Sequence, residues 1–245
     1  MRILLSFAVL FIAAASLFAE EAKPINILIV TGGHDFDEPN FYKMFDAMPN
    51  IRYDKAKLPK DMDLLAPGLE KKYDLVLTYD MNNFPVSNAQ REQFAKLIEE
   101  GMPLLVLHHS VGGYDNWMPY SRMIGGKYVH KPTEIDGKTY PASDYKHDID
   151  IKVQIADKEH PITKGLDDFV ILDETYYTHS ADSGSGNNIL IKTDHPNSMK
   201  SIAWTRTYKG APIFNFVLGH GKSAYGDKNF QEVLRRGILW AAGEI

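Results

Sequence analysis

The sequence predicts an α/β fold: a doubly wound, mainly parallel sheet with an antiparallel β extension. Three observations predict it. Ile25–Val30, Leu104–Leu107 and Ile213–Leu218 are apolar runs of the kind that buried parallel strands show. Between residues 25 and 107 strand-like runs alternate with helical patterns, the mark of βαβ units. From Asp148 the chain turns β-rich and then closes with one amphipathic segment.

Ile25–Val30 is the first strand. Pro39 to Met48 reads as a helix, with Pro39 suited to a first turn. Ile51–Leu58 fits a second strand, Asp61–Leu65 a short helix and Tyr73–Thr78 a third strand. Ser87 is placed to cap a helix from Asn88 to Glu100, where Phe94, Leu97 and Ile98 repeat at helical spacing; Gly101 ends it. Leu104–Leu107 is the fourth strand. Gly112 to Pro141, rich in Gly, Tyr, Lys and Pro, reads as ordered loop. Strands follow at 149–155, 170–178, 189–193, 201–207 and 212–217, with a flexible turn at 183–188. Phe230–Ala242 closes the chain as a helix whose core face is Val233, Leu234, Ile238 and Leu239.

The first residues read as a leader, not as fold. Arg2 gives a positive start, Ile3 to Phe18 is almost wholly apolar, and Glu20-Glu21 ends the run. A spanning helix needs about 20 apolar residues, so this run is short for an anchor. The expectation is a signal peptide over residues 1–19, cleaved after Ala19 with Ala15 as the alternative. A single domain over 20–245 and a periplasmic or secreted location would follow. No stable membrane insertion is expected after cleavage.

The 245 residues carry 27 Lys and Arg against 32 Asp and Glu, a net charge of −5. That mild acidity argues against nucleic acid, which needs a basic face. There is no cysteine. Stability then rests on the core, and thiol chemistry and a lipid-bearing cysteine are excluded.

The chemistry is carried by histidines at strand ends. The fourth strand runs into His108-His109, the last into Gly219-His220-Gly221, and the first, through Thr31, into Gly32-Gly33-His34. Ligands of open α/β sheets bind beyond the carboxyl ends of such strands. If the fourth strand continued, His108 and His109 would face opposite ways; if a turn begins at His108, both can reach one site. The turn carries Ser110 but lacks the glycines of a Gly-x-Ser-x-Gly elbow. In Asp173-Glu174-Thr175-Tyr176, Glu174 and Tyr176 share one strand face, a carboxylate beside a phenol suited to acid–base work or sugar binding. The glycines around His220 allow close approach of a ligand. No Gly-x-Gly-x-x-Gly helix entry follows the first strand, so no nucleotide is expected. Imidazole and carboxylate donors suit Zn or Mn, but no short ligand spacing such as HExxH occurs, so the metal stays undetermined from the residues.

At these motifs the chain resembles the ThuA-like (trehalose-utilisation) family, built on a class I glutamine amidotransferase-like, flavodoxin-like scaffold. The resemblance runs from about Ile25 to Gly243. Its most specific part is Ile202-Ala203-Trp204-Thr205-Arg206, then Gly219-His220, then Phe230 through Gly237-Ile238-Leu239-Trp240-Ala241-Ala242-Gly243. His160-Pro161-Ile162-Thr163-Lys164-Gly165-Leu166 before Asp173-Glu174-Thr175-Tyr176 is similar to the family pattern. So are His108, Trp117, and Gly125-Gly126 with His130 downstream. The chain departs at Val106-Leu107-His108, where the family often has Gly-x-His, and at Gly210-Ala211-Pro212, where Gly-Arg-Val is usual.

The resemblance implies carbohydrate metabolism, with a small-molecule sugar or keto-sugar as partner. It picks out His108, His130, Glu174 and His220 as matching polar positions. The expected catalytic set is His108, Glu174 and His220. The expected substrate-binding set is His34, His109, Trp117, His130 and Tyr176, with Trp117 and Tyr176 stacking on a sugar ring. Two readings stay open: an exported enzyme acting on a sugar or keto-sugar glycoside, and a non-catalytic sugar-binding protein on a former amidotransferase scaffold.

Overall fold

Five parallel strands run side by side: the inner four are buried on both faces and must be covered twice, while the edge strand at 51–57 is largely polar and exposed. In the computed structural model they are β1 (Ile25–Gly32), β2 (Ile51–Lys57), β3 (Leu75–Asp80), β4 (Leu104–Leu107) and β11 (Ala211–Phe216). The structure describes residues 23–245 except 83, 116, 136 and 178–185; the predicted leader lies outside the described residues. β1 pairs with β2 and β3, β3 with β4, and β4 with β11, all in parallel. The sheet continues in antiparallel through β10 (Ser201–Tyr208), β9 (Asn188–Lys192), β7 (Asp144–Ile155) and β8 (Phe169–Tyr177). The order is β2-β1-β3-β4-β11-β10-β9-β7-β8. The predicted mainly parallel sheet with an antiparallel extension is what the chain builds.

Helices cover the parallel strands. α1 (Glu38–Asp46) starts at Asp37, whose carboxylate accepts the Asn40 N–H. α2 (Asn88–Glu99) starts in a reciprocal capping box between Ser87 and Gln90, and buries Phe94, Leu97 and Ile98. α4 (Lys222–Gly226) is a single short turn before α5 (Lys228–Ala241). α5 packs on β4 and β11 through Phe230, Val233, Leu234, Gly237 and Ile238. Gly237 is required there: a Cβ would collide with the Phe214 ring of β11. Truncating a buried residue of this face, such as Ile238, to Ala should cost about 2–5 kcal/mol.

The predicted loop at 112–141 is in part regular. It holds α3 (Met118–Ile124) and a small hairpin of β5 (Thr133–Ile135) and β6 (Lys138–Tyr140). α3 is two turns long, too short for a helical period to stand out among Gly and Pro. It is fixed from outside: the Trp204 indole and the Asn215 amide both donate to the Ile124 carbonyl at its end, at 2.9 and 2.8 Å. Trp204 is fully buried. No helix among the described residues is long and apolar enough to cross a membrane.

Candidate functional site

The carboxyl ends of β1, β3, β4 and β11 lie along one edge, and the antiparallel extension folds over that edge. β4 ends at Leu107 and a 3-10 turn, His108–Gly112, begins at once. His108 sits in the left-handed region at φ 52°. For a residue with a Cβ this costs roughly 1–2 kcal/mol, so packing must hold it there. Because the turn starts at His108, both imidazoles reach the site. His108 Nδ1 donates to the Val217 carbonyl at 2.8 Å. A carbonyl can only accept, so the proton is on Nδ1 and Nε2 is turned to the site. There Nε2 meets Glu174 Oε2 at 3.1 Å and the Tyr176 hydroxyl at 2.9 Å.

Glu174 and Tyr176 come from β8 and share a face, as strand periodicity requires. The partner strand β7 is irregular here. Lys146 pairs with Thr175 and Ile149 with Asp173, so two β7 residues, His147 and Asp148, oppose Glu174 alone. This is a β-bulge, with Asp148 at φ 56°. The bulge aims His147, whose Nδ1 lies 3.4 Å from Glu174 Oε1. Sequence reasoning missed His147, because a bulge cannot be read from residue period.

His220 follows β11. Its Nδ1 is 3.2 Å from Glu174 Oε2, and its ring lies 4.6 Å from that of His147. The turn is held from three sides. Buried Asp173 accepts the Gly219 and His220 N–H groups at 2.6 and 2.9 Å. The Tyr79 hydroxyl donates to the Gly219 carbonyl at 2.7 Å, and the Tyr225 hydroxyl reaches the His220 carbonyl at 3.3 Å. Gly219 needs its φ of 122°, and a Cβ there would press on the Phe230 ring. Asp173 stands in the sequence motif beside Glu174, yet its role in supporting the turn shows only in the fold.

The charges are unevenly placed. Burial alone would raise the Glu174 carboxyl, but hydrogen bonds with His108 and His220 hold it well below the ordinary carboxylate range. His220 is raised by its bond to Glu174, which outweighs burial. Tyr176 is raised well above the usual phenol value by burial and by Glu174, so it stays a neutral donor. Asp173 is raised by burial, against the pull of His108 and of the two N–H groups. His109 is lowered far below the usual imidazole value, by burial first and then by His108 and His34.

Glu174 forms part of the wall of a cleft enclosing about 570 Å³, open solvent at its mouth included. Its other walls include Tyr128, Tyr145, Tyr176, His147, His34 and His109. The His34 and His109 rings stack at 4.8 Å. His130 also faces the cleft and donates from Nε2 to the Gly112 carbonyl at 3.0 Å. The sequence-predicted His108, Glu174 and His220 therefore converge, and His34, His109, His130 and Tyr176 line the adjoining space. Trp117 is placed elsewhere: it packs against Phe94, Tyr114 and Tyr120 and lines no part of this cleft. The aromatic walls of the cleft are Tyr128, Tyr145 and Tyr176, of which Tyr128 and Tyr145 were not singled out in the sequence.

Comparison with known proteins agrees with this architecture. A family model described as "ThuA: Trehalose utilisation" matches residues 26–241. A ThuA-like protein of Parabacteroides merdae superposes with a TM-score of 0.74 at 22% identity, covering 91% of this chain and 92% of that one. A ThuA-like protein of Bacteroides uniformis gives 0.68 at 18% identity, covering 90% and 92%. A GMP synthase protein of Thermoplasma acidophilum gives 0.52 at 10% identity over 90% and 95%, which marks the shared amidotransferase-like scaffold. A search of the curated proteins returns no match.

Proposed function

Because the chain belongs to the ThuA trehalose-utilisation family, we propose that it is an exported enzyme of carbohydrate utilisation, acting on a sugar or keto-sugar glycoside through His108, Glu174 and His220. The observation that carries this reading is a buried carboxylate with an imidazole on each of its oxygens, Glu174 with His220 on Oε2 and His147 on Oε1, beside a cleft walled by tyrosines. Clefts of about 300–1,000 Å³ take small ligands, and tyrosines bind a pyranose by stacking and by their hydroxyls. Glu174, held below the ordinary carboxylate range by its imidazole partners, stays ionised and acts as the electrostatic anchor of the site. His220, half-buried and paired with it, carries the proton to be moved. His108, locked through Nδ1, and Tyr176 set the position of Glu174.

The test is turnover of a panel of glycosides and 3-keto-glycosides by the purified protein, with Glu174→Gln in parallel. Turnover abolished in the variant supports the enzyme. Sugar binding with no turnover in either protein moves the reading to a binding module. Export is supported by the apolar run from Ile3 to Phe18 behind Arg2. N-terminal sequencing of the exported protein should place the mature terminus near Glu20; a full-length mass in the membrane fraction would count against it.

A further inference from the structure

We propose that His108 Nε2, His220 Nδ1 and Glu174 form a divalent transition-metal site, with its open side toward the cleft. The three donor atoms lie within 4.8 Å of one another. Two separations, His108 to Glu174 at 3.1 Å and His220 to Glu174 at 3.2 Å, match ligands on one ion: tetrahedral bonds of about 2.0–2.1 Å put donors roughly 3.3 Å apart. Closing onto an ion needs movement mainly of His220, the half-exposed member, while His108 and Glu174 are buried.

The orientation of His108 supports the site. The Val217 carbonyl engages the Nδ1 edge of the ring and so turns Nε2 toward Glu174 Oε2. A backbone carbonyl on the far ring nitrogen is also how metal-binding histidines are oriented. The Gly219–His220 turn is supported in the same manner, by Asp173 on its N–H groups.

Two histidines and one carboxylate leave coordination positions free, the pattern of catalytic rather than structural sites. His147, on the other oxygen of Glu174, stands at that open side and is half-exposed. It would be placed to offer a further imidazole donor beside a bound ion. The donor set suits Zn and Mn and is poor for Mg or Ca, which prefer oxygen-only shells. The proposal rests on the same site as the sugar-processing reading; with an ion bound, His220 Nδ1 serves as ligand and not as proton carrier, and the site is tested without sugar, so either reading can fail alone.

The experiment uses the full mature chain, stripped with chelator and titrated with ZnCl2 and MnCl2 by calorimetry, with metal content measured after reloading. One ion per chain is expected, with affinity lowered at least about tenfold in Glu174→Gln and in His220→Ala. His195→Ala, outside the cluster, should bind as the wild type does. Cobalt loading should give a visible ligand-field band that changes in His220→Ala. His220 is half-exposed, so this variant keeps the test valid if Glu174→Gln folds poorly. Absence of stoichiometric binding by the wild type would overturn the site. Equal binding by wild type, Glu174→Gln and His220→Ala would overturn it too, since the metal would then sit elsewhere.

Discussion

Asp173 holds the turn that presents His220: its carboxylate accepts the His220 N–H at 2.9 Å while the ring of His220 turns to Glu174, the next residue of β8. One strand thus fixes both the backbone and the side chain of the same histidine. Asp173→Asn would set an amide N–H against a backbone N–H in a buried place. A loss of about 1–3 kcal/mol is expected, read by urea unfolding. The His220 ring should lose its place as well, so turnover should fall even where the variant is fully folded; unchanged turnover would separate Asp173 from the site.

His220→Ala should leave thermal stability near that of the wild type, because the side chain is half-exposed and its turn is held by other groups. Turnover should fall by about 10²–10⁴, the usual worth of a proton-transfer group. His108→Ala should lose both. Its side chain is fully buried and its removal leaves the Val217 carbonyl unpaired. Full activity in the folded fraction of both variants would make them core histidines.

Asp80 ends β3, fully buried, with the Ser110 hydroxyl on Oδ1. Burial raises its carboxyl to about 7, against the pull of that hydrogen bond. A carboxyl whose folded value is raised favours the fold most below its unfolded value of 3.8, and that contribution is lost as pH rises through about 7. Stability should therefore decline between pH 4 and pH 8 by a few kcal/mol from this group. Asp80→Asn should flatten that slope and be the more stable protein at pH 8. Denaturant melts of both proteins across the range decide it; parallel curves would refute the assignment.

Gly237→Ala tests the packing of α5. The added methyl meets the Phe214 ring, and overpacking of this kind costs about 1–3 kcal/mol, more than the helix gains from Ala over Gly. A rise in melting temperature would mean that β11 and α5 can move apart.

The parallel core was legible because its strands are short, apolar and bounded by turns. Leu104–Leu107 is found at the predicted residues, and the capping Ser87 begins the predicted helix. The convergence of His108, Glu174 and His220 followed from one rule about strand ends, together with the motif that holds Glu174. What escaped was set by tertiary contact. α3 depends on Trp204 and Asn215 for its last carbonyl, and His147 depends on an irregular register against Glu174. Gly221 adopts extended backbone at φ −162°, so of the two glycines around His220 only Gly219 uses the freedom expected of both.

The cluster draws on both halves of the sheet: His108 and His220 end parallel strands, whereas Glu174, Tyr176 and His147 ride on the β7–β8 hairpin at the far end of the strand order. A chain that has consolidated its five parallel strands but not yet seated that hairpin would show helix, sheet and a buried core, and still lack the cluster. Circular dichroism would then overstate how much of a preparation is native.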